Sequence, residues 1–216
     1  FGLVPLHSIG NQVWVDINNN GIVDSGEALI EDVAVVLHYV DPISGICIVI
    51  DTAYTDVNGL YLFDSLVGGN YIVEIPSTNF GHGQPLEGFA SSTGNGAIVG
   101  TDSATDPDDN ADNDDNGLLN GNPMFVGSVV SDTLTLGANE PLNELPNNDA
   151  TVALDGNSNL TVDFGFLPLM SIGNQVWNDA NNNGVFDNGE LPIAGVTVVL
   201  HYINPLTGAC DILYTT

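Results

Sequence analysis

The chain of 216 residues contains no lysine and no arginine. Against 28 aspartates and glutamates, this leaves a formal net charge of −28. Without such cations nothing neutralises phosphate, which excludes nucleic-acid partners and disfavours an anionic membrane surface. Catalysis that stabilises developing negative charge with Lys or Arg goes with them, and no Ser–His or Cys–His pairing is suggested. The chain is therefore expected not to be an enzyme. Long hydrophobic runs are missing too: no stretch approaches the roughly eighteen apolar residues of a membrane-spanning helix. The segment Phe1-Gly2-Leu3-Val4-Pro5 lacks the cationic start of a signal peptide, so a mature or internal segment is expected. Cysteine is scarce. Cys47 and Cys210 stand at the same position of a repeat, about a domain length apart, whereas a disulfide tolerates roughly 7 Å between Cα atoms. Free thiols are expected, with an interchain bridge as the alternative.

Apolar residues are plentiful. Leu, Ile, Val and Phe make up 68 of the 216 positions, too many for a disordered acidic tail, so a folded core is expected. Carboxylates at this density repel one another and must be solvated, protonated or bridged by cations, divalent ones above all.

The chain repeats itself. Ser8-Ile9-Gly10-Asn11-Gln12-Val13-Trp14 recurs unchanged at Ser171 to Trp177, and residues 1–53 agree with 164–216 at 30 of 53 positions. A period this long is a whole domain rather than a solenoid unit. The second copy breaks off in a strand region, where a natural end would leave open sheet edges. A piece of a longer tandem array is expected, with a terminus completed by a partner chain as the alternative.

Short β-branched runs punctuated by Gly, Asn and Pro predict strands over 33–40, 46–54, 60–63, 71–76, 125–130, 133–136, 150–154 and 160–166. No helical period competes. The expected fold is all-β, an Ig-like sandwich in tandem. Residues 1–166 form the complete repeat with a polar insertion over 77–125. Residues 167–170 form a short apolar linker expected to bury Leu167 and Leu169 as a stiff junction, and 171–216 open the next repeat.

The strongest chemical signal is Asp16-x-Asn18-x-Asn20-Gly21-Ile22-x-Asp24-x-x-Glu27. Oxygen-bearing side chains fall at positions 1, 3, 5, 9 and 12, with glycine at 6, which is the spacing of a twelve-residue calcium loop. Ile22 would offer its backbone carbonyl while its side chain joins the core, and Glu27 would close the shell with both oxygens. The second copy repeats the pattern as Asp179, Asn181, Asn183, Val185, Asp187 and Glu190. Turn preference explains Asn and Gly but not Glu at position 12 in both copies. An all-oxygen donor set selects Ca²⁺ over Zn²⁺. A second tract, 101–117, places seven acids within fourteen residues. There Asp112, Asp114, Asn116 and Leu118 match positions 1, 3, 5 and 7. Pro123 stands at position 12, so Asp102 or Asp106 would have to close that site. His38 and His201 are expected to be surface or packed residues. Asn159-Leu160-Thr161 matches the glycosylation sequon, a frequent chance match.

Together, Ile9 to Trp14, the Asp16–Glu27 loop, Thr55 to Phe63, Gly69 to Glu74 and Thr161 to Phe166 resemble the SdrD B-like, Cna-B-related, repeat domains of bacterial surface proteins. The resemblance implies a Cna-B-type sandwich binding several calcium ions and arrayed as a stalk on extracellular or cell-surface adhesins. One feature departs from it: many Cna-B-type domains carry a Lys–Asn crosslink assisted by an acid near the position of Glu74, and a chain without lysine cannot form one. The expected function is structural, a calcium-stiffened repeat whose partners are neighbouring repeats of its own or identical chains in a fibre. A ligand-binding adhesin module using residues 77–125 is the alternative.

Overall fold

The structure is a computed structural model that describes residues 2–94, 104–109, 111–137, 158–203, 208 and 210–215. Two compact units divide the chain, Phe1–Leu169 and Met170–Thr216.

In the first unit the predicted runs become strands, bounded by the glycines and asparagines that break them. They are β1 (His7–Val15), β2 (Ala34–Val40), β3 (Cys47–Tyr54), β4 (Leu60–Leu66) and β5 (Gly69–Ile75). A 3₁₀ turn (Ser77–Phe80) leads to β6 (Phe89–Ser91), β7 (Leu118–Leu119), β8 (Val129–Val130), β9 (Leu134–Leu136), β10 (Ser158–Asn159) and β11 (Phe164–Pro168). One sheet runs β10-β1-β11-β6, with β4 on the free side of β1; the other runs β3-β2-β5-β8-β7, with β9 also on β5. Ile9, Val13, Phe63, Phe164 and Phe166 of the first sheet meet Val35, Leu37, Val73, Ile75 and Leu134 of the second in one core. Alternate residues of each strand point inward and bury their apolar area, which gives an Ig-like β-sandwich.

Several expectations are corrected here. The run 125–130 pairs only at Val129 and Val130, because Phe125 leaves the chain in a turn to pack on Ile72 and Val130. The strand expected over 160–166 starts at Phe164 and continues through Leu167 and Pro168, which pair with β6 rather than forming a linker. Leu169 donates its N–H to the Gly88 carbonyl, but its side chain is 62% exposed, with Met170 exposed as well. The expected burial of Leu169 therefore does not occur, and Leu167 is only partly buried. The strand expected over 150–154 lies outside the described residues.

β1 departs from simple alternation and is buried along nearly its whole length. Its polar residues are covered by the acidic tract: Asn11 Nδ2 donates to Asp112 Oδ1 at 2.9 Å and Gln12 Nε2 to Asn113 Oδ1 at 2.9 Å. Among the described residues of the second unit, β12 (Val199–Ile203) and β13 (Cys210–Thr215) form a hairpin. It repeats the β2–β3 pairing, including the bulge after the same leucine, Leu37 and Leu200. Residues 171–176 form no strand, although their sequence is that of β1.

Candidate metal centre

The loop that leaves β1 is closed at its base by ladder bonds, Val15 N–H to the Ala28 carbonyl and Ile30 N–H to the Val13 carbonyl. Inside it, oxygens of the predicted positions collect backbone N–H groups. Asp16 Oδ2 accepts from Gly21 at 2.8 Å and from the Ser92 hydroxyl at 2.6 Å, and its Oδ1 accepts from Asn20 at 3.1 Å. Asn18 Oδ1 accepts from Asn20, and Asn20 Oδ1 from Ile22. Glu27 spans the loop, with Oε1 on the Ile17 N–H and Oε2 on the Asp24 N–H, both at 2.9 Å. The amide groups of Asn18 and Asn20 both donate to Asp24 Oδ2. Gly21 sits at φ +73°, the left-handed bend that position 6 requires. All six predicted residues therefore share one compact turn. Ile22 is the exception in one respect: its side chain is exposed rather than in the core, because its backbone pairs outward.

The second copy has the same bonds. Asp179 accepts from Asn183 and Gly184, Asn181 and Asn183 donate to Asp187, and Glu190 accepts from Ala180 and Asp187. Val185 donates its N–H to Asn183 Oδ1, as Ile22 does to Asn20. Among the described residues no sandwich surrounds the second loop, yet the bonds within the twelve residues are the same.

The outward pairing of Ile22 is to the acidic tract. Ile22 bridges Asp114, Val23 N–H donates to the Asn113 carbonyl, and Asp115 N–H donates to the Gly21 carbonyl. The structure thus brings the first loop and residues 112–116 into one assembly. Asp112 faces Asn11 and Asn113. Asn116 turns away from the loop, accepting the Asp163 N–H on Oδ1 and donating to Thr105 Oγ1 at 2.8 Å. Asp114 Oδ1 is buried and has no hydrogen-bond partner. Asp106 accepts from the Asp108 N–H, and Leu118 lies in β7. Both line a cleft of about 460 Å³ together with Ala104, Thr105, Asp108, Asp132 and Thr133. Asp102 lies outside the described residues.

Spacing did not single out the residue that joins these parts, Asp163. The returning chain leaves the β1 ladder between β10 and β11. In that gap the carboxylate of Asp163 replaces a carbonyl, with Oδ1 accepting the Gln12 N–H at 3.0 Å and Oδ2 the Asn113 N–H at 2.9 Å. Asp115 does related work beside it, accepting from Gly117 and Gly165. Asn19 and Ser92 were missed as well: Asn19 Nδ2 donates to Thr93 Oγ1, and the Ser92 hydroxyl caps Asp16. No periodicity marks such residues, since the contacts of Asp163 to Asn113, Asp115 to Gly165, Asn19 to Thr93 and Ser92 to Asp16 each span 50 or more positions.

Asp16, Asp115 and Asp163 are all buried, in a chain without Lys or Arg. Burial, then the negative charge of Asp112, pushes the Asp163 carboxyl well above the ordinary carboxylate range despite its two N–H donors. Burial likewise raises Asp114, with Asp109 and Asp112 adding repulsion and Thr105 opposing it. Among the described residues no three His, Cys, Asp or Glu side chains form a closed metal cluster. The donor set is instead carboxylate, amide and carbonyl oxygen, with one orphaned carboxylate oxygen at Asp114, and this chemistry suits a hard cation such as Ca²⁺.

The remaining candidates are structural. His38 is packed against Phe125, with Nε2 2.7 Å from Glu74 Oε2. Cys47 and Cys210 are free. Asn159 is buried and donates Nδ2 to the Pro107 carbonyl at 2.8 Å, so the sequon presents no accessible amide.

An all-β sandwich followed by a partial copy of itself, with carboxylate loops at the mouth of β1, defines a modular repeat domain. The chain belongs to the SdrD B-like domain family, whose pattern it matches over residues 7–120 and again over 170–210. It is 31% identical over 198 residues to serine-aspartate repeat-containing protein D of Staphylococcus aureus strain Newman, covering 91% of this chain and 11% of that protein. It is 29% identical over 202 residues to serine-aspartate repeat-containing protein F of Staphylococcus epidermidis, covering 93% and 9%. Colossin-A of Dictyostelium discoideum is 30% identical over 219 residues, covering 99% and 2%. The chain thus spans only about a tenth or less of the length of these relatives.

Proposed function

We propose that the chain is a calcium-stabilised structural repeat of an extracellular fibre, stalk or cell-surface adhesin, and that it catalyses no reaction. The observation that carries this reading is the twelve-residue loop, which holds one set of internal bonds in two different surroundings and, in the first copy, is zipped to a second carboxylate tract. Asp16, Asn18, Asn20, Asp24, Glu27 and the Ile22 carbonyl would hold one ion, and Asp179, Asn181, Asn183, Asp187, Glu190 and the Val185 carbonyl an equivalent one. Asp112 and Asp114, with Asp106, would serve the tract. A bound cation would offset the repulsion among carboxylates that no lysine or arginine relieves. It would also stabilise the fold by mass action, by about 2.7 kcal/mol at a free concentration a hundred times Kd. Its partners would be neighbouring repeats or identical chains, consistent with relatives many times longer than this chain. A ligand-binding module built on residues 77–125 would instead use the acidic cleft beside Asp106 and Asp132.

Isothermal titration of the chelator-stripped chain with Ca²⁺ tests the proposal. Saturable binding is expected, with a higher melting temperature in calcium than in excess chelator. Glu27→Gln should weaken the first site more than Asn18→Ser, because it removes the bidentate anion. Identical melting curves with and without chelator would contradict the reading.

A further inference from the structure

β3 is the outer strand of the second sheet. It pairs with β2 along one side, and among the described residues no strand pairs with the other. A free edge of this kind offers a row of backbone N–H and C=O groups to another strand. The side chains along it are apolar: Ile46, Ile48, Val49 and Ile50 are each 49–60% exposed. Ile48 lies opposite Tyr39, which packs on the core, so a strand added beyond it would continue the same apolar layer.

Charge selects the occupant. Residues 42–50 carry no acid between Asp41 and Asp51. Lysine, other charges, proline and bulges are the usual guards of an edge. Lysine is absent from this chain, and the two guards present, a bulge at Ile50 and the charge of Asp51, stand beyond Ile46–Val49. A cationic partner would be drawn to the acidic tract rather than to this uncharged strand. A second copy brings the same uncharged strand, which is complementary to itself when run antiparallel. Centred on Ile48, such a pairing sets Ile46 against Ile50, Cys47 against Val49 and Asp51 against Gly45. The two Asp51 residues then lie six positions apart along the strand, about 20 Å, beyond the screening length of about 8 Å at physiological salt. The second repeat gives a contrast, because the residue equivalent to Ile48 is Asp211. The same pairing there would set two aspartates directly opposite each other, which is destabilising.

We propose that β3 is a self-association edge at which two copies of this chain pair antiparallel about Ile48, joining their second sheets into one. The pairing is isologous and closes as a dimer. Five residues a side bury less than the roughly 1,200 Å² of a stable interface, so the association of single chains is weak. Repulsion between two chains of net charge −28 opposes it at low salt. The inference gives the identical-chain partner of the proposed function a surface. It does not rest on calcium, whose failure would show in titration rather than in association.

The test uses the full chain with Cys47→Ser and Cys210→Ser, in calcium. Analytical ultracentrifugation up to about 1 mM chain should show a monomer–dimer equilibrium, tightening about tenfold or more as salt rises from about 0.01 to 0.15 M. Ile48→Asp, the residue that the second repeat itself carries at this position, should weaken the dimer about tenfold or more while leaving the melting temperature of dilute chain unchanged. Ile48→Cys in the same background gives a second measurement. Directly opposed antiparallel residues place their Cα atoms about 4.5–5.5 Å apart, within disulfide reach. Oxidation should therefore link Ile48→Cys chains in pairs, whereas Val126→Cys, at a residue more exposed but off the edge, should stay monomeric. Monomer at every concentration and salt, a dimer indifferent to Ile48→Asp, or crosslinking as efficient at 126 as at 48 would each overturn the proposal.

Discussion

Asp163 joins a strand ladder to an acidic tract through a single buried carboxylate, and two backbone N–H groups depend on it. Asp163→Ala strands both in the interior. Leaving a buried donor unmet costs about 1–3 kcal/mol, so a loss of several kcal/mol is expected in urea denaturation. Asp163→Asn keeps one acceptor and should lose less. Glu74 offers a contrasting case. Burial raises its carboxyl, but hydrogen bonds from His38 and Ser128 and the nearby His38 charge outweigh that, and its folded value lies below the ordinary one. Its contribution is therefore present above the unfolded value of about 4.3 and is lost as pH falls through the lower folded value. Glu74→Gln should be less stable than the parent at neutral pH, and the two melting curves should converge on acidification.

At the scale of elements, the two twelve-residue loops form an internal control. Gly21 and Gly184 share the same left-handed bend, at φ +73° and +76°. A Cβ on Gly21 would lie 2.8 Å from the Gly94 Cα, whereas one on Gly184 meets nothing within 4 Å. Gly184→Ala should cost only the backbone term, on the order of 1 kcal/mol. Gly21→Ala should cost more, and should loosen the packing of the loop on residues 92–94. Comparing the two variants by thermal unfolding checks this. These loops were legible in the sequence because the bonds that the two copies share lie within ten residues. The strands β6, β7 and β10 were not, being two or three residues long and held only by distant partners. The roles of Asn116 and Asp163 were hidden for the same reason: their contact spans 47 positions.

At the scale of the whole molecule, charge sets the response to pH. Burial, followed by neighbouring carboxylates, raises Asp163 and Asp114, and burial raises Asp108 with Asp106 and Asp132 adding to it. A raised folded value means stability that is present below the unfolded value of about 3.9 and lost as pH rises through the folded one. The metal-stripped chain should therefore melt at a higher temperature in mild acid than at neutral pH. Under the proposed calcium binding, the ligands would favour the charged form and the sign would reverse. Calorimetry across pH, with calcium and with chelator, separates the two regimes. A protein that gains stability on acidification even in calcium would mean that repulsion outweighs ligation.

The sequence by itself determined the all-β class, the domain-length repeat, the positions of β2 to β5 and the fold of the twelve-residue loops. Each follows from composition, alternation or contacts between near neighbours in the chain. The fate of Ser-Ile-Gly-Asn-Gln-Val-Trp was decided only in three dimensions. Its seven residues are a buried central strand in one copy and largely exposed in the other. A strand's backbone groups are satisfied by other strands, and in the first copy β4, β10 and β11 stand beside these residues and satisfy them.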